Sequence, residues 1–344
     1  MIEEIKIGSR KIGPKFPPFI IPEIGINHNG DYNKAKKMIR DAHASGAECV
    51  KFQCHIVDDE MIENSVVPPN AKESIWKMMK RCSLSKKEDV SLKKYVEKLG
   101  MIYLSTPFSR SAVDRLEEIG VIAYKIGSGE CNNFPLLEYI ATKGKPIILS
   151  TGMNTISDVS KAIKIFKKTK IKYAILHVTS QYPTSYENVR LRALSDLKNR
   201  FPNIVIGLSD HSIGNYTCFA GIPLGACILE KHFTSNKRWK GSDIPISIDP
   251  DELRDLIQGS NAIFKALGKK GNVLQEELKV AKFAFSCVVA IKDISKGQKL
   301  SRENIWVKRP GTGEIYAENY NKILNKTTKI DIKKNTQLEW NMFE

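Results

Sequence analysis

The sequence predicts an α/β protein, in which a closed (β/α)8 TIM barrel is followed by a small β-rich domain. Short apolar runs alternate with amphipathic helical patterns through the first three quarters of the 344-residue chain. Polar residues follow nearly every apolar run, and the pattern changes at a segment rich in glycine and lysine that begins at Gly268. Alternation of strands and helices is typical of a parallel sheet covered by helices.

The strands of this sheet are predicted from eight apolar runs. They occupy residues 19–23, 49–52, 102–105, 123–126, 146–149, 173–177, 204–208 and 227–229. Helical patterns with recognisable ends separate the runs; Ser85 and Glu88 form a capping box, for example, and Gly100 ends that helix. An open doubly wound sheet would gather its functional residues at one switch point, so polar residues after successive runs favour the closed barrel.

Two histidines follow the last two apolar runs at matching positions, His211 after residues 204–208 and His232 after residues 227–229. Neighbouring strands lie about 4.8 Å apart, so imidazoles at their carboxyl ends can share one cation. Either histidine alone is better explained as a core residue bonded to backbone, whereas the matching pair favours a metal site. Two imidazoles with oxygen ligands suit Mn²⁺, with Co²⁺ or Mg²⁺ as alternatives.

Two lysines lie on the second and fourth runs, Lys51 and Lys125. Alternate strands of a barrel contribute side chains to the same layer, so we expect the two ammonium groups to converge. Hydroxyl side chains accompany them at the ends of other runs: Thr106, Ser128, Ser150 and Ser209. Lysines with hydroxyl and backbone donors indicate a phosphate-ester site, although each hydroxyl alone would also suit a helix cap.

Three acidic residues are candidates for acid/base chemistry. Glu23 ends the first run, Glu130 lies in a Gly-Ser-Gly-Glu segment, and Asp243 follows Gly241 and Ser242. The glycines before Glu130 allow a ligand to approach the backbone closely. An acidic residue in a loop is more commonly only solvated, so these assignments depend on longer sequence strings.

Composition indicates a cytoplasmic protein without a membrane or nucleic-acid partner. Lysine and arginine number 54 against 38 acidic residues, a net charge of +16. The excess is mostly lysine spread along amphipathic helices, which favours a solvated surface that attracts a small anionic substrate. No apolar run approaches a membrane span, the amino terminus lacks the pattern of a signal peptide, and the seven cysteines form no Cys-x-x-Cys pair.

The predicted organisation is a catalytic barrel domain over residues 1–267, a linker over 268–282 and a second domain over 283–344. Within the second domain, residues 286–291 and 305–308 are strand candidates, and residues 296–299 form a turn. No long helix is required there.

Longer strings identify the chain as similar to the sialic acid synthase family. They are EIGINHNG at 23–30, VKFQ at 50–53, LSTPFS at 104–109, KIGSGECNN at 125–133, LSTGM at 149–153 and GLSDH at 207–211. Residues 288–313 resemble the carboxyl-terminal domain of that family, an antifreeze-like (SAF) domain. The resemblance covers the chain from about residue 7 to the end.

The resemblance implies a metal-dependent condensation of phosphoenolpyruvate with an N-acetylhexosamine, typically N-acetylmannosamine, to give N-acetylneuraminate and phosphate. It implies that His211 and His232 bind the metal and that Glu130, or alternatively metal-bound water, performs the catalytic proton transfer. Glu23 and Asp243 would then bind or deprotonate groups on the substrates. The implied phosphoenolpyruvate ligands are Lys51, Thr106, Lys125, Ser128, Ser150 and Ser209. The implied sugar contacts are Gln53, Asn70, Ser180, Tyr182, Phe283 and Arg309.

The resemblance further implies a domain-swapped homodimer, in which Arg309 reaches the sugar bound by the other subunit. Ser180 stands where the N-acetylneuraminate branch often has Asn, Ser242 stands where Pro is more usual, and Val280 stands where some relatives have Thr. Legionaminic or pseudaminic acid synthase, acting on a 2,4-diacetamido-trideoxyhexose, therefore stays an alternative, because one changed polar contact can discriminate between sugars. A non-catalytic binding protein is a further alternative.

Overall fold

The computed structural model describes residues 4–269 and 271–344. It divides the chain into two compact units, Met1–Gly268 and Lys269–Glu344. The first three residues of the predicted barrel domain and Lys270 of the predicted linker lie outside the described residues.

The first unit contains a two-stranded antiparallel hairpin and one parallel sheet of eight strands. In chain order the strands are β1 (Ile5–Ile7), β2 (Arg10–Ile12), β3 (Phe19–Gly25), β4 (Cys49–Cys54), β5 (Ile102–Pro107), β6 (Tyr124–Ile126), β7 (Ile147–Ser150), β8 (Tyr173–Val178), β9 (Val205–Asp210) and β10 (Ile228–His232). Their order in the large sheet is β5-β4-β3-β10-β9-β8-β7-β6, and the two end strands are neighbours. The predicted barrel is confirmed.

All eight predicted runs form strands, but most of these strands continue further than predicted at their carboxyl ends. Strand β9 ends at Asp210 and β10 ends at His232, whereas the apolar runs end at Leu208 and Leu229. Hydrophobicity marks only the buried apolar part of a strand, so polar residues that continue the same pleat were assigned to loops.

Helices of the first unit connect successive strands. They are α1 (Tyr32–Ala44), α2 (Val57–Glu60), α3 (Ile75–Cys82), α4 (Lys86–Lys98), α5 (Arg110–Glu118), α6 (Phe134–Ala141), α7 (Ile156–Thr169), α8 (Tyr186–Val189), α9 (Ala193–Arg200), α10 (Tyr216–Gly221) and α11 (Pro250–Ala266). The predicted capping box of Ser85 and Glu88 is present at the start of α4. Within the described residues, no helix has the length and apolar character needed to cross a membrane.

The amino-terminal end of the barrel interior is apolar and is closed by the β1–β2 hairpin. Ile5, Ile7 and Ile12 of the hairpin are buried and share one apolar cluster with Phe19 and Ile21 of β3. The hairpin was not predicted, because its three-residue strands are too short to show a period. With this end filled, the carboxyl ends of the strands are left to form the pocket.

The second unit is small and rich in irregular β structure. It contains α12 (Gln275–Ala284), β11 (Cys287–Ala290), β12 (Ile305–Lys308) and α13 (Tyr320–Ile323), and the two strands pair antiparallel. Both predicted strand segments are therefore present. A helix, α12, occupies much of the segment that was predicted as a linker, and its start is stabilised by a hydrogen bond from the Leu274 N–H to the Glu277 carboxylate.

Candidate active site

A pocket of about 660 Å³ lies at the carboxyl ends of the barrel strands. Its lining brings together many of the predicted site residues, and among the residues that were not predicted it includes a charged one, Glu230. These lining side chains are Glu23, Lys51, Asn70, Lys125, Ser128, Ser150, Ser180, Tyr182, Ser209, His211, Glu230 and His232. The pocket is therefore the candidate active site.

The two lysines converge as predicted, and a buried carboxylate lies between them. Lys51 Nζ is 2.6 Å from Glu23 Oε2 and 3.7 Å from Glu230 Oε2. Lys125 Nζ is 3.3 Å from Glu230 Oε1. All four side chains are buried, so these charges interact with little screening by water. The arrangement concentrates cationic donors on the floor of the pocket.

Glu230 follows directly after the apolar run that ends at Leu229, so the predicted strand does not include it. In the structure, β10 continues, and inward-facing residues alternate from Ile228 to Glu230 to His232. Ser209 Oγ on the neighbouring strand donates a hydrogen bond of 2.9 Å to Glu230 Oε1. Extending the two-residue alternation beyond the apolar run would have found this glutamate.

Burial and the lysines together set the charge states of the pocket floor. Burial raises the pKa of Glu23 to about 7, although Lys51 opposes the rise. Burial acts in the same direction on Glu230, but Lys125 and Lys51 outweigh it and hold the pKa of Glu230 below its usual value. Burial lowers the pKa of Lys125 to about 8. The floor therefore contains one carboxyl group that exchanges its proton near neutral pH and one that stays ionised.

Of the predicted hydroxyl side chains, Thr106, Ser128 and Ser150 contact either a lysine or a backbone N–H group. Lys125 Nζ donates to Ser150 Oγ over 2.7 Å, and Lys51 Nζ donates to Thr106 Oγ1 over 3.4 Å. Ser128 Oγ accepts a hydrogen bond of 3.0 Å from the Gly152 N–H. An added Cβ at Gly152 would collide with Ser180 Oγ, so this position needs glycine for the close approach.

The two histidines lie side by side at the pocket wall, with ring centroids 5.4 Å apart. His211 Nδ1 contacts the Thr179 carbonyl oxygen over 2.9 Å, which leaves Nε2 for another partner. His232 Nδ1 is buried without a hydrogen-bond partner and lies 3.7 Å from Asp243 Oδ2. Burial lowers the pKa of both rings, that of His211 to about 4, so both are neutral at pH 7, the form that binds metals.

The pair of imidazoles fits a metal site whose other positions are open. Within the part of the chain that the structure describes, no three His, Cys, Asp or Glu side chains are grouped as a ready-made metal site. The two neutral imidazoles, one of which has a buried ring nitrogen without a hydrogen-bond partner, nevertheless form a donor set that water and substrate oxygens can complete.

The predicted sugar contacts divide between the two units. In the first unit, Gln53 donates to Glu23 over 3.1 Å, and Asn70 donates to Asp243 over 3.3 Å. Tyr182 stacks on His211 at a centroid distance of 4.1 Å. Ser180 lines the pocket. The remaining two predicted contacts, Phe283 and Arg309, belong to the second unit, where both are exposed.

Glu130, predicted as the proton-transfer residue, lies in the short 3-10 turn Ser128–Glu130. Its carboxylate accepts a hydrogen bond of 2.6 Å from Asn133, and burial raises its pKa. Ser128 and Gly129 of the same turn line the pocket, whereas Glu130 is outside the lining formed by the described residues. Glu23 and Glu230 are the carboxyl groups beside the lysines.

Comparison with known proteins gives matches over both units. The NeuB family matches residues 38–272, and the SAF domain matches residues 285–344. N,N'-diacetyllegionaminic acid synthase of Campylobacter jejuni is 38% identical over 319 residues, 89% of this chain and 94% of the relative. N-acetylneuraminate-9-phosphate synthase of Homo sapiens is 35% identical over 305 residues, 87% of this chain and 85% of the relative.

A solved structure shows the same fold. The N-acetylneuraminic acid synthetase of Leptospira borgpetersenii, crystallised with citrate, superposes with a TM-score of 0.75 and 36% sequence identity. The match covers 81% of this chain and 95% of that one.

Proposed function

The chain belongs to the NeuB family, and from that premise we propose that it is a phosphoenolpyruvate-dependent synthase that makes a nine-carbon 2-keto sugar acid. The proposed acceptor is N-acetylmannosamine, and the products are N-acetylneuraminate and phosphate. The methylene carbon of phosphoenolpyruvate bonds to the aldehyde carbon of the sugar, water adds at the enol carbon, and phosphate leaves by cleavage of its bond to that carbon. The observation that carries this proposal is the convergence of Lys51 and Lys125 in one pocket.

Phosphoenolpyruvate has a charge near minus three, and the pocket floor supplies donors suited to it. Lys51 and Lys125 provide ammonium groups, and Ser128, Ser150 and Ser209 provide hydroxyl groups at the same pocket. Thr106, predicted as a phosphoenolpyruvate ligand, is outside the pocket lining formed by the described residues, and it is proposed to orient Lys51 by accepting its hydrogen bond. Burial disfavours the charged form of Lys125, and a bound phosphate ester would stabilise that form.

His211 and His232 are proposed to hold a divalent cation, Mn²⁺ first and Co²⁺ or Mg²⁺ as alternatives, which when bound would polarise the aldehyde of the sugar. We propose that Glu23, which contacts Lys51, transfers protons at the pocket floor in place of Glu130. Gln53 orients the Glu23 carboxylate by donating to its other oxygen.

Asn70, Ser180 and Tyr182 are proposed to contact the sugar, because all three line the same pocket as the two lysines. Asp243 orients Asn70 by accepting its amide hydrogen bond. Phe283 and Arg309 are proposed to complete the sugar site of a second subunit in a domain-swapped homodimer.

The contribution of Arg309 from a second subunit can be tested by mixing two inactive variants. Arg309→Ala lacks the proposed contact, and His211→Ala lacks a barrel ligand. Under conditions of subunit exchange, we expect the mixture to regain activity, because each heterodimer then contains one intact site. Absence of rescue in mixed dimers, verified with differently tagged chains, would count against the proposed exchange.

A second acceptor has a specific observation in its favour, since a relative at 38% identity is a diacetyllegionaminic acid synthase. The deciding experiment measures phosphate release with Mn²⁺, comparing N-acetylmannosamine with 2,4-diacetamido-trideoxyhexoses. Higher kcat/KM with N-acetylmannosamine supports the proposal. Preference for a diacetamido sugar reassigns the acceptor and keeps the reaction. Binding of substrates without release of phosphate from phosphoenolpyruvate, whichever acceptor is present, supports a non-catalytic binding protein.

A further inference from the structure

A buried ion pair lies directly behind the wall of the pocket that carries the two histidines. Lys231 Nζ on β10 is 2.5 Å from Asp210 Oδ2 on β9, and neither side chain is more than 1% exposed. The two residues are aligned in register across the parallel strands. Ser209 and Glu230, one position earlier, face the pocket, so the pleat directs Asp210 and Lys231 to the opposite side.

The remaining contacts of the pair hold the chain on both sides of His211. Asp210 Oδ1 accepts a hydrogen bond of 3.0 Å from the Ser212 N–H, and Asp210 Oδ2 accepts one of 2.7 Å from Thr217 Oγ1 on α10. Lys231 Nζ donates to the Ser212 carbonyl oxygen. His211 is thus bracketed by two residues of this cluster, and His232 directly follows Lys231 in the chain.

Stability alone does not explain such a pair. Removing two charges from water costs several kcal/mol per ion, and apolar residues of similar volume are commonly as stabilising. Unlike apolar packing, hydrogen bonds and ion pairs fix where backbone atoms lie. Here they hold the end of β9, directly before His211, against the end of β10, which includes His232.

We infer that Asp210 and Lys231 are positioning residues, which set the separation of the His211 and His232 rings and thereby the affinity of the site for a divalent cation. The inference rests on the proposed function, in which the two histidines hold that cation. Neither Asp210 nor Lys231 lines the pocket, and their direct electrostatic effects on His211 are of opposite sign, so the strand ends that they hold are the proposed route to the metal site.

The test is the affinity for Mn²⁺ alone, measured by electron paramagnetic resonance of the free ion on the full-length protein without substrates. In the double variant Asp210→Asn, Lys231→Met, both charges are removed together, so no buried charge is left unpaired. We expect its Mn²⁺ affinity to fall by roughly 10-fold to 100-fold, the range for residues that orient metal ligands. The visible absorption of bound Co²⁺ should also change, because it reports ligand geometry.

A matched control removes another ion pair of the same barrel, formed by a buried carboxylate and a partly buried guanidinium. Arg115 Nη1 lies 3.3 Å from Asp89 Oδ2, between α5 and α4. The variant Asp89→Asn, Arg115→Met should lose thermal stability and keep the wild-type Mn²⁺ affinity. A purely structural role of Asp210 and Lys231 would make the two double variants behave alike.

Failure of the inference and failure of the proposed function give different results. If His211→Ala binds Mn²⁺ as tightly as the wild type, the metal assignment is wrong and the inference falls with it. If His211→Ala loses affinity but the Asp210, Lys231 double variant stays within about twofold of the wild type, only the inference is overturned. Should the double variant not fold, Lys231→Arg decides, since it keeps the charge and moves the donor: weaker Mn²⁺ binding supports the inference, and unchanged binding overturns it.

Discussion

The two ends of the barrel interior are built from the same strands but differ in chemistry. Inward-facing positions near the amino ends are apolar, and positions two residues further along are charged or hydroxyl-bearing. The pairs, apolar residue first, are Ile21 and Glu23, Cys49 and Lys51, Leu104 and Thr106, Ala123 and Lys125, Ile148 and Ser150, and Ile228 and Glu230. All of them are buried, so burial alone does not distinguish structural from functional positions.

The difference shows how the barrel tolerates buried charge. The apolar end, closed by the β1–β2 hairpin, supplies packing energy and holds the strands in register. That packing compensates for the cost of keeping four ionisable side chains out of water at the other end. We therefore expect substitutions at the apolar end to change stability and substitutions at the polar end to change turnover.

The largest effect is expected from Lys125→Met at the polar end. The change keeps the length of the side chain and removes the charge that faces Glu230 and Ser150. A hydrogen bond to a charged group is worth about 1.5–3 kcal/mol, so kcat/KM for phosphoenolpyruvate should fall by roughly 100-fold. The control is Lys164→Met, at an exposed lysine of α7, which should leave kcat/KM unchanged. Equal kinetics of the two variants would remove Lys125 from the proposed site.

The second effect is expected at the apolar end, from Ile148→Ala. Ile148 is fully buried, and its truncation leaves a cavity in the amino-terminal cluster. The free energy of unfolding should fall by about 2–5 kcal/mol, measured by urea denaturation. Below the new unfolding transition, KM for phosphoenolpyruvate should match the wild type. A large rise in KM at unchanged stability would contradict the division between the two ends.

The same two ends differ in how far their features could be predicted from sequence. Apolar runs predicted all eight sheet strands, and alternate-strand layering predicted that Lys51 and Lys125 converge. Glu230 was missed because polar residues end an apolar run without ending the strand. The β1–β2 hairpin was missed because three-residue strands show no period, and α12 because its faces are largely exposed.

Local sequence also could not decide which acidic residue faces the ligand. Glu130 has a glycine-rich context that suggests a binding loop, yet its side chain turns to Asn133. Glu23 and Glu230 look like ordinary residues at strand ends, and only the closure of the barrel places them beside the lysines. Which carboxyl group comes to lie beside the lysines depends on where each strand ends, and the apolar runs do not mark those ends.

The pH dependence of KM for phosphoenolpyruvate tests the role of the polar end, because the inward-facing Lys125 there has a lowered pKa. Burial lowers the pKa of Lys125 to about 8, so its charged form predominates below pH 8 and is lost above it. If only the charged form binds phosphoenolpyruvate, KM should rise by about tenfold between pH 7 and pH 9. The phosphate is already fully ionised over most of that range. Lys125→Arg, which stays charged, should show a smaller rise, due to ionisation of Glu23, whose pKa burial raises to about 7. A wild-type profile no steeper than that of Lys125→Arg would contradict the assignment.

The smallest effect is expected from Ser150→Ala, two residues along β7 from Ile148. Ser150 Oγ accepts a hydrogen bond of 2.7 Å from Lys125, which keeps its contact with Glu230 after the change. Loss of one of several contacts should raise KM for phosphoenolpyruvate by about threefold to tenfold, at a cost in stability of about 1 kcal/mol. Ile148→Ala should show the reverse, a large loss of stability at constant KM. The two side chains lie on one strand, face the same side and are both buried. Opposite outcomes would therefore show that the effect of a substitution depends on the end of the barrel at which the side chain lies. Similar outcomes would show that β7 acts as one structural unit.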